Sequence, residues 1–282
     1  MKNALKTTVL LAALGGLFMG VGVLLGGTTG LAIGLAIGLV FVGGSYWFSD
    51  KLAIKAARAV PATREQYPQL YETVEQLAAE ANIPTPRIYV SPEMQPNAFA
   101  TGRSPNHAAV AVTQGILQVL DRDELAGVLA HELSHVKNRD ILIGSVAAAI
   151  AMGILFVTRI AFWGALFGGG DDDDGGNAFG AILLLILAPI AAALIQMAIS
   201  RSREFQADAS GAELLHNGEP LARALEKIEA YAKQVPMDVN PAQASAYIVN
   251  PLTGRKVQFA NLFSSHPPTA ERVARLRTRV SH

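Results

Sequence analysis

The 282-residue sequence predicts a mainly helical α+β protein integrated in a membrane, with about four transmembrane helices and one split domain outside the bilayer. Three observations predict it. Four uncharged apolar runs, Thr7–Gly26, Leu31–Phe48, Ile141–Thr158 and Ala178–Ile199, are each close to the roughly 20 residues that cross ~30 Å of hydrocarbon as a helix. Hydrophobic residues make up 51% of the chain and charged ones 16%, and the excess is concentrated in blocks rather than spread out. Of the 23 Lys and Arg, all but Arg159 lie at the N-terminus or in 49–140 and 201–282, so the positive-inside rule places those segments in the cytoplasm.

The chain therefore divides into an N-terminal membrane hairpin (1–50), a first cytoplasmic part (51–140), a second membrane hairpin (141–200) and a second cytoplasmic part (201–282). In the first hairpin, Gly16/Gly20, Gly22/Gly26 and Gly30/Gly34/Gly38 have the spacing that lets helices approach closely in lipid. Tyr46 and Trp47 stand where an interfacial aromatic belt is expected. In the cytoplasmic part, Leu70, Val74, Leu77 and Ala81 follow helical spacing, ended by Pro84 and Pro86. Arg87–Ser91 reads as a strand, and Ala98–Thr101 with Ala108–Val112 reads as a hairpin around the turn-like RSPN. Asp121 and Glu124 form a capping box that opens the next helix. The second hairpin carries Pro189 in its second run and a GGGDDDDGGN linker, which reads as a solvated loop because its spacing lacks the pattern of a calcium-binding loop. Beyond it, Glu219-Pro220 opens a helix with Leu221, Leu225 and Ile228 on one face, and Thr269 is expected to cap a last helix with Val273, Leu276 and Val280.

The capped helix contains VLAHELSHVKNRD. His131 and His135, four residues apart, share one helix face and can reach one ion, while Glu132 can reach a metal-bound water as a general base. The chain has no cysteine, so disulfides are excluded and a transition metal is held by imidazole and carboxylate. A third protein ligand is needed. The other histidines, His107, His216, His266 and His282, are candidates, but Glu204 in SRSREFQADAS is preferred. Asp208 lies one turn further on the same face, so one carboxylate can bind metal while the other orients an imidazole. His266, before Pro267-Pro268, is a candidate second electrophile. The strand at Ala98 is a candidate for pairing with an extended peptide, with Asn97 fixing its backbone. No basic run is present, so nothing points to nucleic acid.

In order along the chain, the two N-terminal runs, NAFATG, VTQGIL, VLAHELSHVKNRDIL, SREFQADA and SHPPTAERVARL resemble the HtpX family of bacterial membrane zinc metalloproteases, within the gluzincins. The resemblance covers nearly the whole chain. It implies one Zn2+ per subunit on His131, His135 and Glu204, Glu132 as catalytic base, and Asp208 as support for a zinc-binding histidine. It also implies degradation of misfolded membrane proteins at the cytoplasmic face of the inner membrane, as protein quality control under stress. Two other classes compete. A non-catalytic metal-binding membrane protein has no need of Glu132. An enzyme like the CAAX prenyl endoproteases is expected to enclose its site within more spans.

Overall fold

The computed structural model describes residues 2–143, 201–234, 248 and 267–279. The runs after Ile143, the Gly/Asp linker and His266 lie outside them.

Helix α1 (Lys2–Ala56) doubles back at Gly27, whose φ is +57°. Its two arms touch backbone to backbone through glycines. A Cβ on Gly22 would meet the Gly30 carbonyl oxygen at 2.1 Å, and one on Gly34 would meet that of Phe18 at 2.3 Å. Only glycine permits this approach. A Cβ on Gly16 or Gly20, expected on the same seam, would meet nothing of the other arm within 4 Å. Among residues whose side chains are described, no helix is long and apolar enough to cross a membrane. The two spans read from the uncharged runs of α1 therefore rest on the sequence.

The chain leaves α1 into a small sheet. Strands β1 (Val60–Pro61), β2 (Arg87–Ser91), β3 (Ala98–Gly102) and β4 (Ala108–Thr113) take the order β1-β2-β4-β3. β3 and β4 form the expected antiparallel hairpin, Ala98 opposite Val112 and Gly102 opposite Ala108. β4 then inserts beside β2 in parallel, so β3 is left as an edge strand. Every residue of β4 is buried, which suits its near-continuous apolar run and its central place. The far end of α1 is anchored to this sheet by Asp50, 2.5 Å from Arg87, and by Trp47, with Arg103 4.7 Å over its ring.

Helices pack against the sheet. α2 (Pro68–Glu80) buries Leu70, Val74 and Leu77, the stripe its periodicity predicts. After a short α3 (Gln114–Val119), the central helix α4 (Arg122–Lys137) starts at the expected capping box. Asp121 Oδ1 accepts from Glu124 N at 2.9 Å and Glu124 Oε2 from Asp121 N at 3.0 Å. Such a cap contributes about 1 kcal/mol and fixes where the helix begins. α4 is packed by α5 (Arg201–Leu214), α6 (Glu219–Gln234) and α2. α6 buries Leu221, Leu225 and Ile228 as expected. α7 (Thr269–Arg279) packs on α6 and α5. Thr269 is its first helical residue rather than its cap, and the Pro268 carbonyl accepts from Glu271 N and Arg272 N.

Candidate metal centre

Two helices from distant parts of the sequence build the site. α4 presents His131 and His135 on one face, and α5 lies across it. The helices come close because Gly211 sits at the crossing: a Cβ there would stand 2.9 Å from His131 N. Closing that gap brings Glu204, two turns earlier on α5, over both imidazoles.

His131 Nε2 and His135 Nε2 are 3.2 Å apart. Glu204 Oε2 lies 3.6 Å from the first and Oε1 3.7 Å from the second. An ion bound tetrahedrally at the usual 2.0–2.1 Å has ligand atoms about 3.3 Å apart, so these three donors fit the edges of a zinc polyhedron and leave one corner open. The rings meet edge to face at 90°, so both nitrogens converge on one point rather than stacking past it. The donor set of two imidazoles and one carboxylate suits zinc and needs no thiolate.

The surroundings are those of a cation site. Asp208 Oδ1 lies 2.9 Å from His131 Nδ1, within reach of that ring nitrogen. Just beyond the C-terminus of α4, Asp140 places its oxygens 3.1 and 3.2 Å from His135 Nδ1. Burial alone would lower the pKa of His131, but Asp208 and Glu204 outweigh it and hold the ring up to about 10. His135 is raised as well, burial being outweighed by Asp140 and Glu204. Burial pushes Asp208 up, but the Arg272 guanidinium overrides it and holds the carboxyl well below the usual range.

A pH dependence follows. Zinc needs neutral imidazole, and both ligand rings here have raised pKa values, so below those values a proton competes with zinc. Apparent zinc affinity should therefore rise from pH 6 to pH 8, by up to about tenfold per unit for each proton released. Competition against a chromophoric chelator across that range measures it, and a flat profile would show that these rings are neutral before zinc binds.

Glu132 is 7% exposed and does not join the three donors. Its Oε2 accepts from Ala100 N of edge strand β3 at 2.8 Å. Ala98, two residues earlier, is buried and shares the orientation of Ala100 along the strand. Asn97, expected to hold a substrate backbone, is instead taken up within the chain. Its Oδ1 accepts from Ile248 N at 3.0 Å, and its backbone pairs with Thr113. A short polar side chain beside a strand end can serve either use, and here the chain's own segment at 248 claims it.

Three site residues were not found from sequence. Arg272, 1% exposed, clamps Asp208 with bonds of 2.9 and 2.7 Å and donates to the Ile248 carbonyl at 3.0 Å. An arginine on the apolar side of an amphipathic helix, in register with Val273 and Leu276, is the signal that marks it. Ala100 and Asp140 contact Glu132 and His135 and carry weaker local signals.

A histidine pair with an intervening glutamate on one helix, and a third ligand, a carboxylate, from a second helix, define a zinc metallopeptidase site of the gluzincin type. Residues 64–280 match the model of peptidase family M48. A protease HtpX homologue from Syntrophobacter fumaroxidans is 53% identical over 283 residues, covering 99% of this chain and all of that one. Another from Thermococcus sibiricus is 53% identical, covering 97% and 94%. Among solved structures, the crystal structure of S. mikatae Ste24p matches with a TM-score of 0.54 at 19% identity, covering 98% of this chain and 65% of that one, a likeness of fold. The chain belongs to peptidase family M48, among its HtpX homologues. It is a zinc metalloendopeptidase, and His131, His135 and Glu204 are its zinc site.

Proposed function

We propose that this chain is a membrane-anchored endopeptidase that hydrolyses misfolded or damaged membrane proteins at the cytoplasmic face of a bacterial inner membrane. The observation that carries the catalytic part is the contact between Glu132 and Ala100. It joins the candidate base to an edge strand, the place where an extended polypeptide can add as a further strand. Backbone pairing reads few side chains, which suits unfolded substrates of many sequences.

Zinc, when bound, supplies the Lewis acidity that polarises a scissile carbonyl and acidifies water. Glu132 accepts the proton of the attacking water and returns it to the leaving amine. Asp208 holds the ring of His131, and Arg272 holds Asp208, so the ligand orientation is set before substrate arrives. His131 and Glu204 are buried and His135 is half-buried, which limits bulk water around the donors while leaving the site open on one side.

Digestion of one detergent-solubilised membrane protein, native and heat-unfolded side by side, tests the substrate class. The unfolded form should be cut faster. Equal rates, or faster cutting of the native form, would reject it.

The membrane reading is supported by the four uncharged runs and the Lys/Arg distribution. Four spans then place 51–140 and 201–282 together in the cytoplasm around one zinc ion. A reporter active only outside the cytoplasm, fused at Asp172, should be active, and the same reporter fused after His282 should be silent. Silence at Asp172 would mean that the runs from 141 and 178 do not cross; activity at the C-terminal fusion would reverse the orientation.

A further inference from the structure

We infer that Asp140 is a positioning residue of the zinc site, matched to His135 as Asp208 is to His131. The proposal rests on the zinc site described above. Both Asp140 oxygens lie at 3.1 and 3.2 Å from His135 Nδ1, the ring nitrogen opposite the one that faces Glu204. A carboxylate there fixes which nitrogen carries the proton, points Nε2 at the ion and raises its basicity.

The local backbone argues that this contact is built rather than incidental. α4 ends with Arg139 at φ +57°, a left-handed conformation that an arginine adopts at some cost. That one residue reverses the chain, so that Asp140 N donates to the His135 carbonyl at 3.1 Å and the Asp140 side chain returns to the ring of the same histidine. Asp140 also stands just before the helical residues 141–143, with its carbonyl accepting from Ile143 N at 3.1 Å, a place where an aspartate is an ordinary N-cap. One local preference, the backbone of Arg139, is thus set aside at this turn, and what it delivers is a carboxylate, 8% exposed, against a metal ligand. Arg203 on α5 bears on both Asp140 and Glu204, so the buried negative charge is not left unbalanced. Asp140 also directly precedes the third apolar run, which ties the orientation of His135 to the point where the chain turns towards the second hairpin.

The test is Asp140→Asn, which keeps the size and the backbone bonds but removes the charge, with Asp140→Ala beside it. Zinc affinity is measured by competition with a chromophoric chelator, and thermal unfolding of the zinc-free proteins is followed in the same detergent. Asp140→Asn should bind zinc about tenfold more weakly and Asp140→Ala up to ~100-fold, with zinc-free Asp140→Asn unfolding at the wild-type temperature. At saturating zinc, KM for an unfolded protein should stay unchanged in Asp140→Asn. Zinc affinity of Asp140→Asn within about twofold of wild type would overturn the proposal. So would a loss of affinity that comes only with a matching loss of zinc-free stability, which would assign Asp140 to the helix end alone. Failure of the zinc site itself is a separate result, because wild-type protein would then bind no zinc.

Discussion

Glu132→Gln should bind zinc as the wild type does and lose at least ~10²-fold in proteolysis, the usual scale for removing a general base. The amide keeps the shape of the side chain, and its oxygen can still accept from Ala100 N, so the edge strand and α4 stay in place. Zinc is retained because Glu132 is not among the three converging donors. What is lost is the capacity to take a proton from water. Turnover and zinc content are read on the same purified sample. Near wild-type turnover would remove Glu132 from the mechanism, and loss of zinc would make it a ligand.

The second large effect belongs to Glu204→Ala. Two imidazoles leave a catalytic zinc short of protein ligands, so metal content and activity should fall together. Asp208→Ala acts one step away, on the ring of His131, and should weaken zinc by about 10–100-fold without abolishing binding. Because Arg272 is fully buried against Asp208, removing that carboxylate also strands a charge, and Asp208→Ala should lose thermal stability where Glu204→Ala loses mainly zinc. Metal analysis and thermal unfolding of the two variants separate these roles. If Asp208→Ala strips zinc and Glu204→Ala keeps it, the assignment is reversed.

Much of this site was readable in the chain because its signals are local. The His131/His135 spacing, the Asp121–Glu124 cap and the Glu204/Asp208 pair each fit within one helix, where periodicity alone sets the face. The strand at Arg87–Ser91, the hairpin at Ala98–Thr113 and the apolar stripes of α2 and α6 were legible for the same reason. What was not legible is what depends on long-range placement. The parallel insertion of β4 between β2 and β3, which makes β3 the edge strand, is not written in any of the three strands. Arg272 meets Asp208 across 64 residues of sequence. Asp140 reaches His135 only because Arg139 takes a left-handed conformation, which no propensity predicts for arginine. Asn97 looked suited to a substrate, and its use by Ile248 depends on where a remote segment lies. In the hairpin of α1, spacing showed that glycines could form a seam; packing decided that Gly22, Gly30 and Gly34 form it and Gly16 and Gly20 do not.

The most direct measurement is a zinc titration of chelator-stripped protein while digestion of an unfolded protein is followed. Activity should be absent at the start, rise in proportion to added zinc and break at one zinc per chain. The same titration of Glu204→Ala should stay flat. Full activity in the stripped protein, or a zinc-dependent rise that persists without His131, His135 or Glu204, would contradict a single zinc site shared by the two halves of the chain.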